Sequence, residues 1–265
     1  SNGVVQEVKK RFNFKKVGHL GTLDPMATGL LIVAVNKATK FSSYFLNEIK
    51  AYSAEVTLGK TSDTDDAEGN ILNVTSDLPD SKKVILSLSS FLGESLQKAP
   101  FYSALKHKGK PLYKYAREGE LIEKPSRKIN IMDISNICYQ EPLLEFDIVC
   151  SKGTYIRSIA RDIGNLLNCG GHLSKLKRTQ QGCFKIKNSN SIKDLSVNHI
   201  ISIESAFPQF NSINLDESDE KIYKNGGRVD SIRGNKEISK IYSFSNKFMG
   251  LGEINDCGLK LKQLV

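Results

Sequence analysis

The residues best suited to chemistry in this chain lie in one short stretch, Gly18-His-Leu-Gly-Thr-Leu-Asp-Pro-Met-Ala-Thr-Gly29, where a single carboxylate, Asp24, stands among uncharged neighbours. Gly18, Gly21 and Gly29 permit tight turns and close approach of backbone to a ligand, and Pro25 fixes the chain just after the acid. A carboxylate held on a shaped loop can react. The same Asp-Pro pair also fits a plain turn, since Asp commonly bonds its own backbone there. Behind it, Gly29-Leu-Leu-Ile-Val-Ala-Val35 is a continuous apolar run rich in β-branched residues. This run predicts a buried central strand that anchors the loop, a common arrangement for reactive groups.

Two further side chains carry chemistry. Residues Ala51–Gly59 alternate, with Tyr52, Ala54, Val56 and Leu58 on one face and Ser53, Glu55 and Thr57 on the other. That pattern predicts a strand with an aromatic on its inward face, available for stacking or simply for core packing. Later, Cys150-Ser-Lys-Gly-Thr-Tyr-Ile-Arg-Ser-Ile-Ala-Arg-Asp-Ile-Gly164 reads as a strand end, a glycine turn and a helix with Ile156, Ile159 and Ile163 buried. Its opening turn carries Tyr155 and Arg157. A helix N-terminus already favours anions, so an arginine there suits a phosphate or a carboxylate such as Asp24, unless it is an ordinary surface residue.

Cations are the next signal. The net charge is +9 and the pI about 9.2, which suits a polyanionic partner. Between Lys98 and Lys128 nine Lys or Arg face three Glu, interleaved with Phe101, Tyr102, Tyr113 and Tyr115. Cations for phosphates beside rings for bases are what single-stranded or looped RNA requires. Lys106, Lys108 and Lys110 are the candidates here. A second cluster, Lys175, Lys177, Arg178, Lys185 and Lys187, contains no acid across His172–Lys187. Lys175, Lys177 and Arg178 join the candidates for RNA-backbone contact, with solvated loops as the alternative for both clusters.

Composition excludes several classes. With 39% apolar residues over 265 positions the chain has enough material for one large core and a small appendage. Its five cysteines are odd in number, widely spaced and without Cys-x-x-Cys, which signals neither a disulfide framework nor a zinc site and points to a reducing, cytoplasmic setting. No apolar run approaches the ~20 residues that span a bilayer, and the first ten residues lack a signal-peptide core. The acidic run Thr61–Gly69 fails the calcium-loop pattern, having Ala67 and Val74 where ligands belong, and is expected to be an exposed turn.

The remaining elements frame these residues. Val4–Phe14, Lys37–Lys50 and Ser81–Leu92 have helical apolar spacing, whereas Ile129–Tyr139 and Leu143–Cys150 read as a hairpin around Gln140-Glu-Pro142. After about Ser205 short alternating runs at Ile238–Phe244 and Phe248–Ile254, divided by Gly and Asn, predict a small β module. That module is nearly neutral, with nine bases and eight acids, so the electrostatic pull belongs to the larger part.

Six blocks follow one another along the chain: the Gly18–Gly29 stretch, Ala38-Thr-Lys40, Lys50-Ala-Tyr52, Gly59–Gly69, Pro100-Phe-Tyr-Ser-Ala-Leu-Lys106 and Ser151-Lys-Gly-Thr-Tyr-Ile-Arg157. Together they resemble the bacterial TruB-type tRNA pseudouridine-55 synthases along nearly the whole chain. The resemblance implies an α+β fold, a mixed central sheet flanked by helices over residues 1–210, followed by a small β-rich PUA-type RNA-binding domain over 211–265. It implies isomerisation of one uridine in the tRNA T-loop, without metal or organic cofactor, by a monomer whose partner is the T-arm stem-loop. Carried over by position, Asp24 is the catalytic aspartate and Arg157 its partner. His19, Tyr52, Tyr155 and Leu176 contact the flipped uridine or the space it vacates. Family members open with an extra strand and a Lys-Pro segment ahead of the helix that starts here near Ser1, so the resemblance implies that an N-terminal strand is missing.

The residues agree with that chemistry. Making pseudouridine breaks the C1′–N1 bond, turns the uracil and joins C5 to C1′, and one carboxylate serves either as a nucleophile at C1′ or by acting at C2′ to start an elimination. The sequence leaves both routes open. A non-catalytic tRNA-binding or RNA-folding protein would explain the same basic surface but would not need Asp24. A carbohydrate hydrolase would need paired acids, and none accompanies Asp24 in its motif.

Overall fold

A computed structural model describes all 265 residues, which form two compact units. The first gathers Ser1, Gly21–Leu31 and Phe45–Ser189, and the second Asn2–Leu20, Ile32–Tyr44 and Asn190–Val265.

The first unit is built on a seven-stranded mixed sheet. In spatial order its strands are Phe184–Lys185, Gly171–Gln181, Lys50–Leu58, Leu143–Cys150, Arg127–Gln140 and Gly93–Gln97, with Thr28–Gly29 added in parallel to Gly171–Gln181. The other pairings are antiparallel. Lys50–Leu58 lies inside the sheet, and the predicted inward residues Tyr52, Ala54, Val56 and Leu58 are all buried. Two amphipathic helices cover this face. Ile156–Leu166 contributes Ile156, Ile159, Ala160 and Ile163 to the core, and Ser81–Ser89 contributes Val84 and Leu88. The second of these starts at Asp80, whose carboxylate accepts from the Lys83 N–H at 2.9 Å, a normal N-cap. The expected hairpin is present as Arg127–Gln140 against Leu143–Cys150.

The run Gly29–Val35 is not the single central strand that its composition predicts. Thr28–Gly29 joins the large sheet, whereas Val33–Val35 pairs with Val17–His19 in a separate two-stranded sheet of the second unit. Gly29 has a φ of 93°, and a Cβ there would stand 2.4 Å from the Arg178 carbonyl. The chain can pass this close only as glycine, and the left-handed residue ends the extended run. The expected helices also shrink: Val4–Phe14 becomes Asn2–Arg11, and Lys37–Lys50 becomes a 3-10 turn Asn36–Phe41 followed by Ser42–Leu46.

The second unit contains a five-stranded sheet ordered Asn211–Asn214, Glu237–Tyr242, Phe248–Asn255, Gly258–Leu264 and Arg228–Val229, of which only the first pair is parallel. Tyr223, from the helix Glu217–Lys224, packs on this sheet with Leu215, Val229, Ile241 and Leu259. No helix in the chain is long and apolar enough to cross a membrane.

Candidate active site

Asp24 sits in a turn, since the Ala27 N–H donates to its carbonyl oxygen at 3.0 Å. The turn leaves the side chain free to point elsewhere, and it meets Arg157. Nε donates to Oδ2 at 2.8 Å and Nη2 to Oδ1 at 3.1 Å, a bidentate pair. The arginine is buried, with 5% of its side chain exposed, while the carboxylate keeps 30%. The carboxylate is thus partly open to solvent while the cation that grips it is not.

The same guanidinium serves a second acid. Asp66 Oδ2 lies 3.4 Å from Arg157 Nε, and Arg157 Nη1 donates to the Thr64 carbonyl at 3.2 Å. Asp66 is itself held by the Thr64 hydroxyl at 2.6 Å and the Glu68 N–H at 3.0 Å. Next to it Asp65 accepts from Arg161 Nη1 at 2.8 Å, and burial pushes its carboxyl up to about 6 against the opposing pull of Arg161 and Arg157. The acidic run is therefore not the exposed turn expected of it. Backbone bonds of 3.0 Å, from the Ala67 N–H to the Leu173 carbonyl and from the Leu173 N–H to the Asp65 carbonyl, fasten it to Gly171–Gln181. The signal for this lies in the helix: Arg157 and Arg161, four apart on one face and drawn away from water, need carboxylates.

Burial pushes the Tyr52 hydroxyl up to about 12, with a smaller raising contribution from the Asp24 charge. Tyr52 and Leu176 belong to one apolar cluster, and Met26 and Ala27 from the Asp24 loop pack against it. Register places Tyr52 opposite Arg178, and Leu176 opposite Ala54. Tyr155 is half-buried at the N-cap of Ile156–Leu166. His19 belongs to the second unit, half-buried at the end of Val17–His19 and paired with Val33.

Arg178 corrects an expectation. Only 1% of it is exposed, so it faces no phosphate. Its Nε donates to the Leu30 carbonyl at 2.8 Å, Nη2 to Gly21 at 3.1 Å and Nη1 to Thr22 at 3.4 Å. It therefore staples both ends of the loop that carries Asp24, and burial lowers its own pKa. Sequence places it among cations because Lys175 and Lys177 flank it, yet strand alternation puts it on the inward face.

The lysines divide. Lys106, Lys108 and Lys177 are exposed. Lys175, also exposed, is paired with Glu55 at 2.6 Å. Lys110 is half-buried, paired with Glu118 and seated over the Tyr115 ring at 4.5 Å. Arg117 similarly covers Tyr113 at 5.5 Å. These two rings carry the segment's own cations.

Known proteins share this fold and sequence. The fold matches a chain in the structure of an H/ACA RNP bound to a substrate RNA containing 2′-deoxyuridine, with a TM-score of 0.74 and 21% identity, covering 99% of this chain and 80% of that one. Residues 9–156 match the TruB family pseudouridylate synthase N-terminal domain, and residues 157–207 the tRNA pseudouridylate synthase B C-terminal domain. Fold, sequence and the anchored acid define a pseudouridylate synthase. The tRNA pseudouridine synthase B of Clostridium novyi (strain NT) is 41% identical over 271 residues, covering 99% of this chain and 94% of the relative. That of Francisella philomiragia subsp. philomiragia is 42% identical over 267 residues, covering 96% and 87%. The chain belongs to the TruB family.

Proposed function

We propose that this enzyme isomerises one uridine of tRNA to pseudouridine, and that the target is position 55 in the T-loop. The observation that carries the reading is the solvent-open carboxylate of Asp24, gripped through both oxygens by a buried arginine. A guanidinium so placed holds the carboxylate in one orientation. In the reaction the C1′–N1 bond breaks and a C5–C1′ bond forms. C5 gives up its hydrogen as a proton and N1 takes one, so atoms and electrons balance. Asp24 acts at the ribose, as a nucleophile at C1′ or by taking a proton at C2′. No metal or organic cofactor is called for, because an ionised carboxylate does what either route asks.

The uridine must leave its stack, at a cost of a few kcal/mol, offset by stacking on Tyr52 and by contacts with Leu176. Tyr155 is assigned to the same nucleotide on the family resemblance. Lys106, Lys108 and Lys177 supply phosphate contacts from exposed positions. The five-stranded sheet beginning at Asn211 is read as a PUA-type RNA-binding domain, and the enzyme as a cytoplasmic monomer.

The test is incubation with a T-arm stem-loop carrying C5-tritiated uridine. Stoichiometric tritium release is expected. An RNA-folding protein without chemistry would bind the stem-loop and release none.

A further inference from the structure

The basic excursion after Gln97 leaves and re-enters the large sheet at a single cross-strand pair, Gln97 opposite Arg127. Both members hold Tyr155. The Gln97 side chain is buried, with 2% of the residue exposed, and both ends of its amide are engaged. The Tyr155 N–H donates to Oε1 at 2.9 Å, and Nε2 donates to the Tyr155 carbonyl at 3.0 Å. One amide thereby pairs with one residue's backbone as a neighbouring strand would. Arg127 lies over the Tyr155 ring at 5.2 Å. The next residue in the stem, Lys98, accepts at its carbonyl from Ser158 Oγ at 2.9 Å and from Arg161 Nη2 at 3.1 Å.

These bonds converge on the start of Ile156–Leu166. Tyr155, its N-cap residue, gives the helix no side-chain cap, and the Gln97 amide fixes this residue's own backbone instead. Arg157 follows two residues later and meets Asp24. A buried amide is costly unless both of its ends are satisfied. Apolar packing alone would be served by leucine or methionine. The amide's specific work is to set the backbone at Tyr155.

We propose that Gln97 is a positioning residue for the reaction, fixing the backbone of Tyr155 and with it the approach of Arg157 to Asp24, and that the basic excursion is coupled to the site through this stem. The inference rests on the proposed reading of the site as an RNA isomerase. Phosphate contacts made by Lys106 and Lys108 load a segment whose two roots are Gln97 and Arg127, so substrate engagement reaches the catalytic helix through hydrogen bonds rather than through a flexible loop.

The experiment uses the full chain and the tritiated T-arm stem-loop, with wild type, Gln97→Met and Gln97→Glu. Single-turnover rate at saturating RNA, RNA Kd and melting temperature are measured for each. A carboxylate at position 97 presents two acceptors, one of them facing the Tyr155 carbonyl. A protonated carboxyl again presents one donor and one acceptor, and in so buried a place its pKa rises. The expected result is a saturating rate reduced roughly tenfold or more in both variants, as misplacement of catalytic groups produces, with Kd within about threefold. Gln97→Glu, unlike Gln97→Met, should recover relative to wild type as the pH falls from about 8 to about 6. Folded variants with wild-type saturating rates, or an effect confined to Kd, would overturn the proposal. Should both variants fail to fold, Arg127→Met decides: a saturating rate several-fold down at similar Kd supports the stem, and an unchanged rate overturns it. Wild type that releases no tritium would instead remove the functional reading itself.

Discussion

Replacing Arg178 by methionine separates a staple from a phosphate contact. The side chain is 1% exposed and makes two well-formed bonds, at 2.8 Å to the Leu30 carbonyl and 3.1 Å to the Gly21 carbonyl. Hydrogen bonds from a charged donor contribute about 1.5–3 kcal/mol each net of desolvation, so losing both destabilises by about 3–6 kcal/mol. At the lower end that corresponds, for a unit of this size, to a fall in Tm of about 6–12 °C. A catalytic effect should accompany it. The freed carbonyls bracket Asp24 on both sides, and a displacement near 1 Å costs about a hundredfold in rate. Single-turnover pseudouridine formation at saturating RNA, alongside RNA Kd against salt, reads both effects. The expected outcome is a rate slower by about a hundredfold with an unchanged salt slope. A wild-type rate, or a weaker Kd whose salt slope drops by about one, would refute the staple and restore the phosphate contact.

Tyr52→Phe should keep stacking and lose only the hydroxyl, whereas Tyr52→Ala should lose ~1–3 kcal/mol of base stacking; equal rates for all three proteins would take Tyr52 out of the site. Neutralising Lys106 and Lys108 should weaken tRNA binding and flatten its salt slope by about one for each phosphate that is no longer neutralised, a result absent if those side chains only face water. Asp65 makes stability pH-dependent. Its folded pKa of about 6 lies above its ordinary value, so its contribution is fully present below about pH 3.9 and is lost as the pH rises through 6, amounting to about 3 kcal/mol. Asp65→Asn should flatten that decline in denaturant titrations between about pH 4 and pH 7, and identical slopes for both proteins would contradict the assignment.

Much of the site is legible in the residues. Alternation places Tyr52 inward on a strand, helical spacing reveals the buried face of Ile156–Leu166, and the isolated acid in a glycine-rich loop marks Asp24. For Arg157 the helix's first turn leaves a phosphate, a carboxylate or plain solvent open, and the structure pairs it with Asp24. What stays hidden depends on partners distant in sequence. Asp65 and Asp66 look like a hydrophilic turn until Leu173 supplies backbone bonds and two arginines supply charge. Arg178 reads as one of a row of cations because periodicity says which face a residue takes but not that three carbonyls wait there. Gln97 carries no local signal at all, since its partner lies on a turn fifty-eight residues later. Gly29 gives the opposite error, a run hydrophobic enough for one strand that a single left-handed residue divides between two sheets.

Whether Asp24 reacts with the uridine or merely shapes its loop is decided by one substitution. Asp24→Asn keeps the side chain's size and leaves Arg157 with Asp66 as partner, so folding and RNA binding should survive. Single-turnover tritium release by this variant should be abolished while its Kd for the T-arm stem-loop stays within about threefold of wild type. Release at a near-normal rate would show that the chemistry does not need this carboxylate.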